Sequence, residues 1–308
     1  MARRLLDWIN ERFPLPNGIL FFVLYFTALV TGRFSTTTEA LPITASDLVG
    51  FIALWSFFLM LRVFDEHKDY ELDCQNYPDR VLQSGRITLG HLKVVGAVAI
   101  ILQLGISLWL DAGFGRIAAW WLAVFIYSLL MAKEFFVGEW LNRRLLLYAA
   151  THMVVMPLAM IWLAQIGAEQ SALPRNIGLL AGLSFMSGAS FEITRKLRGP
   201  EEERDGVDSY TKVLGTSGAP LLVVALLGGS TVVQVLLLHW IFGGPARVWW
   251  YGVLAAGLLP GVITLLRFRA KPTAATRKAS EGAVSLSMLM SYLVVVIAVW
   301  SERGLSWS

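Results

Sequence analysis

Asp65, Glu66, Asp69 and Asp73 put four carboxylates into nine residues, directly behind an apolar stretch long enough to cross a bilayer. Asp65, Asp69 and Asp73 are spaced i, i+4, i+8. Each step of four overshoots a full helical turn by only about 40°, so on a continuous helix the three share one stripe with Glu66 beside it. Like charges at that spacing repel, and a carboxylate at the membrane boundary is costly to desolvate. Arg62, Lys68 or a bound cation must offset both. Mg2+ takes hard oxygen ligands and is commonly shared between carboxylates and phosphate oxygens, so it suits such a stripe. A solvated acidic loop balanced by Lys68 and Arg80 has the same spacing; the position at the end of an apolar helix favours the cation.

Behind the stripe, Pro78 and Gly85 break the helix, and Arg80 and Arg86 bring cations near the carboxylates. That pairing fits an anionic ligand with several charges, such as a diphosphate. A second charged stretch runs from Glu192 through Asp208 and again follows an apolar segment. Glu192, Arg195 and Lys196 share a helix face at i, i+3, i+4; an intrahelical ion pair from Glu192 to Lys196 and direct anion binding by the two cations are both open. Glu201, Glu202, Glu203, Asp205 and Asp208 follow without a register that selects a metal ligand.

These clusters sit in a chain that is 56% hydrophobic and only 16% charged, with a mean hydropathy of +0.60. Soluble domains carry about a quarter charged residues. Nine segments approach the roughly 20 residues needed to span a bilayer, at 17–32, 46–64, 92–110, 117–133, 145–165, 176–194, 214–241, 248–266 and 281–300. Solid apolar runs rather than short alternating ones predict an all-α polytopic bundle, not a barrel. Small residues within the runs, as between Gly178 and Ser190, allow close helix packing. No long linker divides residues 1–308, which reads as one membrane domain.

Nine spans place 21 of the 26 Lys and Arg on one side, leaving only Arg33, Arg116, Arg175, Arg247 and Arg303 opposite. By the positive-inside rule the N-terminus and both acidic clusters are cytoplasmic. Topology thus accounts for the net charge of +4, and no nucleic-acid binding is read into it. A lone cysteine, Cys74, excludes an internal disulfide and a Cys-rich metal site. The basic start has no close apolar core of a cleavable signal. Leu5, Leu6, Trp8, Ile9 and Phe13 form one face of a short interfacial helix. The clusters end spans 2 and 6, four spans apart, which suggests two similar halves with a ninth helix added.

Asp65-Glu66-x-x-Asp69-x-x-x-Asp73, followed by Arg80 and Ser84-Gly85-Arg86-Ile87-Thr88, resembles the first motif of the UbiA superfamily of intramembrane prenyltransferases, Asn-Asp-x-x-Asp-x-x-x-Asp. Asp65 replaces the Asn and Glu66 the first Asp, and both changes keep an oxygen donor. Gly206, Thr211, Leu214 and Gly215 resemble the end of the family's second motif. Its front half departs: Glu192 stands for the first Asp, but Lys196 sits where a carboxylate is usual. Tyr127, Ser128 and Lys133 loosely resemble a Tyr- and Lys-bearing family segment, although a snorkelling Lys is the commoner reason for Lys133. His152, beside Met153 and Met156 inside span 5, reads as a packing residue before a cavity residue.

The resemblance implies nine helices around a central cavity. It implies Mg2+ held by Asp65, Glu66, Asp69, Asp73 and Glu192, and a prenyl diphosphate bound by Arg80, Arg86, Lys133, Arg195, Lys196 and Arg198. The metal would stabilise the leaving diphosphate, and an aromatic or lipid acceptor would capture the allylic cation in a cavity walled by residues such as Trp55, Phe58, Trp120, Trp121 and Tyr127. Cyclisation of the same cation, a terpene cyclase, shares every motif residue. A non-enzymatic transporter or scaffold is the third reading; transporters keep ionisable groups near mid-membrane, whereas these gather at one face.

Overall fold

The computed structural model describes residues 1–15, 17–36, 43–168, 171–204 and 208–304. Thirteen α-helices follow one another: α1 Ala2–Arg12, α2 Asn17–Thr36, α3 Ala45–Lys68, α4 Tyr70–Asn76, α5 Leu89–Leu110, α6 Arg116–Ala132, α7 Gly138–Asn142, α8 Leu145–Met153, α9 Val155–Gly167, α10 Gly178–Arg195, α11 Tyr210–Phe242, α12 Val248–Ala270 and α13 Ala274–Arg303. Among the described residues eight helical segments are long and apolar enough to cross a membrane, α8 and α9 together forming one of them. The ninth expected span, α6, has 17 residues; at about 1.5 Å per residue it falls a little short of a hydrocarbon core roughly 30 Å thick.

Local chemistry explains where these helices start and bend. The Thr88 and Ser209 hydroxyls cap α5 and α11 by accepting the backbone N–H three residues on, at 3.3 and 3.1 Å. The fifth span breaks at Val154, because Pro157 has no N–H for the Met153 carbonyl. In α11, Gly215 leaves the helical region with φ 74° and ψ 166°, so the first turn bends away from the long apolar remainder. The continuous helix expected for the first acidic stripe is also interrupted. Asp69, at φ −95° and ψ 7°, separates α3 from α4. Backbone bonds from Asp69 N to the Asp65 carbonyl (2.9 Å) and from Asp73 N to the Asp69 carbonyl (2.8 Å) nevertheless keep the four-residue spacing.

α2 is the most enclosed span, with 72% of its apolar window buried against 22–50% in the others. It packs on α9, α13 and α3. The α2–α9 approach is set by reciprocal glycines. A Cβ on Gly32 would collide with the Ala164 carbonyl, and one on Gly167 with the Leu29 carbonyl. Around this contact lie the fully buried Tyr25, Leu29, Leu54, Phe57, Met60 and Trp162. A charged pair and a buried amide inside the bundle find partners, as hydrocarbon favours. Arg33 donates to both carboxylate oxygens of Asp47 at 2.6 and 3.0 Å. The Trp121 indole donates to Gln103 Oε1 at 3.2 Å.

α1 uses its apolar face less for lipid than for protein. Trp8 is fully buried among Val63, Val81, Leu82, Ile87 and Leu92, and Phe13 packs on Phe21 and Trp55, whereas Leu6 is exposed. α1 is thus fastened to the loop behind the first acidic cluster. Gly32→Ala and Gly167→Ala are each expected to destabilise the bundle by about 3 kcal/mol or more by forcing α2 off α9; thermal unfolding in detergent measures the loss, with the open Gly105→Ala as the neutral control.

Candidate active site

At the end of α3 the four carboxylates of the first cluster divide into two kinds. Glu66 is fully buried, and its Oε1 accepts Arg12 Nε at 2.6 Å, Arg62 Nη2 at 2.6 Å and Arg62 Nε at 3.0 Å. Its Oε2 is buried with no hydrogen-bond partner among the described residues. Asp73 Oδ2 accepts Arg80 Nη1 at 2.9 Å and Arg12 Nη2 at 3.4 Å, so Arg12 of α1 ties the two acids together. The Arg80 guanidinium lies 3.6 Å over the Tyr77 ring.

Asp65 and Asp69 are different. The Asp65 side chain is 56% exposed and has only Arg62, at 3.9 Å, as an ion-pair partner among the described residues. Asp69 is exposed and its carboxylate has none among them. Burial pushes the Asp69 carboxyl above the usual range, with Asp73, Glu134 and Glu66 adding to the shift and Lys68 opposing it. No three Asp, Glu, His or Cys side chains among the described residues converge closely enough to form a closed metal cage. Two uncommitted carboxylates still suit a hydrated Mg2+, which keeps several waters and needs one or two protein carboxylates beside phosphate oxygens.

The second cluster is a fork. Glu192 accepts Lys196 Nζ and Arg195 Nη2, each at 2.8 Å, so the ion-pair reading holds for both cations at once. Arg195 remains 54% exposed and Lys196 31%. Arg198 turns back instead: its Nη1 donates to the carbonyls of Arg195 (3.0 Å) and Leu197 (2.6 Å), closing the end of α10. Most of the later acids hold the loop. Glu201 accepts the Ala274 N–H at 3.0 Å, and Glu202 accepts Gly199 N at 3.1 Å and Arg277 Nε at 2.9 Å. Glu203 accepts the hydroxyls of Ser209 and Thr211 at 2.7 and 2.8 Å. Asp208 is exposed, and Asp205 and Gly206 lie outside the described residues.

Two residues absent from the sequence-based set link the clusters. Lys68 Nζ sits 2.7 Å from Glu134 Oε1 and donates to the Tyr148 hydroxyl at 2.7 Å. Lys196 Nζ lies 5.9 Å over the Tyr148 ring from the second cluster. Tyr148 stacks on His152 at 3.8 Å, and Phe135 meets His152 edge-on at 5.9 Å and Tyr127 at 5.4 Å. Asp65 and Arg195 also feel each other's charge across this space. The spacing Tyr148-x-x-x-His152 on one helix face was the available signal for Tyr148.

The structure therefore brings together Asp65, Asp69, Glu192, Arg195 and Lys196, with Tyr148 between them. It commits Glu66, Asp73, Arg80 and Arg198 to internal contacts, and pairs Arg86 with Asp7 of α1. Lys133 is exposed, next to Glu134, with no ion pair among the described residues. Of the aromatic wall residues, Trp55 packs against Phe13 and Phe21, and Phe58 stacks on Phe21, within the core. Glu66→Gln is expected to destabilise the protein by about 3 kcal/mol or more, because two arginines lose a buried counter-charge. Asp65→Asn and Asp69→Asn should stay within about 0.5 kcal/mol of the parent; thermal unfolding of the three variants separates the two kinds of carboxylate.

The fold has counterparts among solved structures. A solved structure of digeranylgeranylglyceryl phosphate synthase is similar over 97% of this chain and 99% of its own, at 17% identity and a TM-score of 0.68. An apo UbiA homologue from Aeropyrum pernix K1 matches over 94% of this chain and 98% of its own, at 11% identity and a TM-score of 0.66. A UbiA homologue from Archaeoglobus fulgidus bound to GPP and Mg2+ matches over 94% and 99%, at 12% identity and a TM-score of 0.54. At these identities the likeness is one of fold. No curated protein matches the sequence. The family model for UbiA prenyltransferases matches residues 19–293, nearly the whole bundle, and the chain belongs to the UbiA prenyltransferase family.

Proposed function

We propose that this chain is a Mg2+-dependent intramembrane prenyltransferase that moves a prenyl group from a prenyl diphosphate to an aromatic or lipid acceptor, the whole chain acting as one membrane domain. The observation that carries the reading is the pair of accessible carboxylates, Asp65 and Asp69, flanking a Lys68 that donates to Tyr148, while the half-buried Lys196 lies over the same ring beside the exposed Arg195. Carboxylates beside cations suit a metal–diphosphate ligand, which presents both charges. Related structures bound to GPP or DMAPP with Mg2+ support the same donor class.

Asp65 and Asp69 would hold the cation, and a bound Mg2+ would supply Lewis-acid stabilisation of the charge growing on the leaving diphosphate. Arg195 and Lys196 take the remaining charge, and Glu192 holds both cations on one face so that neither has to be ordered when the ligand arrives. Lys68, fixed by Glu134 and Tyr148, adds a third cation at the carboxylate side. As the allylic C–O bond breaks, its electron pair leaves with the diphosphate, the acceptor's nucleophile closes on the carbon, and the proton the acceptor gives up is taken by the released diphosphate or by water. Glu66, Arg12 and Asp73 act as positioning residues that keep the end of α3 in place.

Purified protein incubated with a panel of radiolabelled prenyl diphosphates is expected to release diphosphate only with Mg2+ and with membrane lipid extract. Asp65→Asn and Asp69→Asn should each lower that rate by about 100-fold or more while leaving folding intact. Full turnover in either variant would sink the site assignment. Release without the extract, yielding a hydrocarbon, would make the protein a cyclase. The motif face is proposed to be cytoplasmic, and the lone Cys74 of α4 reports on it: a membrane-impermeant maleimide should label Cys74 only after cells are opened.

A further inference from the structure

Between α6 and α8 the chain makes a short excursion whose inner residue Glu134 fixes Lys68 and whose outer face the proposed chemistry does not use. Glu134, Phe135 and Phe136 have φ of 48°, 53° and 60°, three consecutive non-glycine residues in the left-handed region. That conformation costs roughly 1–2 kcal/mol per residue. It is held by the Lys68–Glu134 ion pair and by Phe135 lodged between Tyr127 and His152. The result is an outward-facing Phe136, 77% exposed, followed by Val137 at 47% and Trp140 at 50%, while Leu141 anchors α7 at 2%. A relaxed loop would have had no reason to keep three large apolar groups outside.

These groups line an open cleft of about 780 Å³ together with Glu139, Arg143 and Arg144. Arg144 lies 4.2 Å over the Trp140 ring and donates Nη1 to the Trp140 carbonyl at 3.0 Å. Neither Arg143 nor Arg144 is in an ion pair among the described residues, and Glu139 is the only acid in the lining. The cleft lies between the apolar helices α6 and α8, and the Lys68–Glu134 contact fixes it on the motif face, where aromatic and basic side chains at a helix end suit lipid headgroups. Guanidinium groups grip phosphate in two-point fashion, and apolar rings beside them suit acyl chains.

We propose that this cleft binds an anionic glycerophospholipid, with its phosphate on Arg143 and Arg144 and the start of an acyl chain along Phe136, Val137 and Trp140. A free phosphate would leave the three apolar groups without a partner, and a zwitterionic lipid would leave the excess positive charge uncompensated. The site is independent of turnover and stands or falls separately from the prenyl-transfer reading.

Native mass spectrometry of the full-length protein, released from micelles holding equimolar phosphatidylglycerol and phosphatidylcholine, tests it. Phosphatidylglycerol adducts are expected to dominate. Arg143→Gln with Arg144→Gln should weaken that preference about 25-fold, the product of roughly 5-fold for each cation at an anionic surface. Phe136→Ser with Trp140→Ser should lower retention of both lipids, and Arg143→Lys with Arg144→Lys, which keeps the charge, should keep most of the preference. Arg267→Gln with Arg269→Gln removes the same charge from the end of α12 and should change nothing. Equal retention of the two lipids by the parent protein overturns the proposal. So does an equal loss in the Arg267 and Arg269 variant, or displacement of the lipid by soluble pyrophosphate at the same concentration.

Discussion

A carboxylate or guanidinium taken out of water at the edge of a hydrocarbon slab costs several kcal/mol unless an opposite charge accompanies it. That constraint sorts the charged residues of this bundle. Asp47 has Arg33, and Glu66 has both Arg12 and Arg62. Asp73 has Arg80 and Arg12, and Glu202 has Arg277. Wherever an acid is internally satisfied it holds helices or loops together. Asp65 and Asp69 break the pattern, since they sit beside these saturated pairs and keep accessible oxygens. Unlike Glu66 and Asp73, these two neighbouring carboxylates keep oxygens open to a cation from outside, which is the role proposed for them.

The bundle itself was legible in the sequence because its signal is local. Apolar runs of span length give the helices, whereas the break at Val154 inside the fifth span was not legible in them. The i, i+4, i+8 stripe was legible too, and it survives the interruption at Asp69 because backbone bonds carry the spacing across the break. The division within the stripe was not legible. It depends on Arg12, which lies 54 residues from Glu66 in the chain and reaches it only because Trp8 anchors α1 beneath the loop after α4. Spacing gives no information about a contact of that range.

The second cluster was harder for a related reason. Its acids are dense in sequence, and density suggests ligands. Hydrogen bonding instead assigns Glu201, Glu202 and Glu203 to the start of α13, to Arg277 and to the cap of α11. Lys196, which departs from the family pattern, becomes intelligible in space. Together with Arg195 it makes Glu192 the counter-ion of two cations rather than a free carboxylate. In the proposed site these two cations stand where the family's second acidic motif would place a carboxylate. Glu134 and Tyr148 escaped notice because each is unremarkable in its own segment and acquires a role only through Lys68.

Irregular backbone occurs at both ends of the bundle, at Ala112, Gly113 and Gly243 as well as at the motif face, and its share at the motif face has a mechanical consequence. The left-handed turn at Glu134–Phe136, the break at Asp69 and the bend at Gly215 all lie toward the motif face. Farther along the helices, the crossing of α2 and α9 is regular and so tight that neither Gly32 nor Gly167 has room for a Cβ. Regular helices in mutual contact are stiff, and their interiors pass strain on rather than absorb it. Any adjustment on binding a charged ligand must therefore be taken up by the short segments at the motif face. Those segments are the ones fixed by ion pairs, through Arg12, Lys68, Glu192 and Arg277, rather than by apolar packing alone. Ion pairs at a wet membrane face can exchange partners when a new anion or cation arrives, whereas a packed apolar contact has no such alternative. The fold thus concentrates its adjustable contacts where the charges are, and leaves the apolar bundle to keep the two clusters opposite each other.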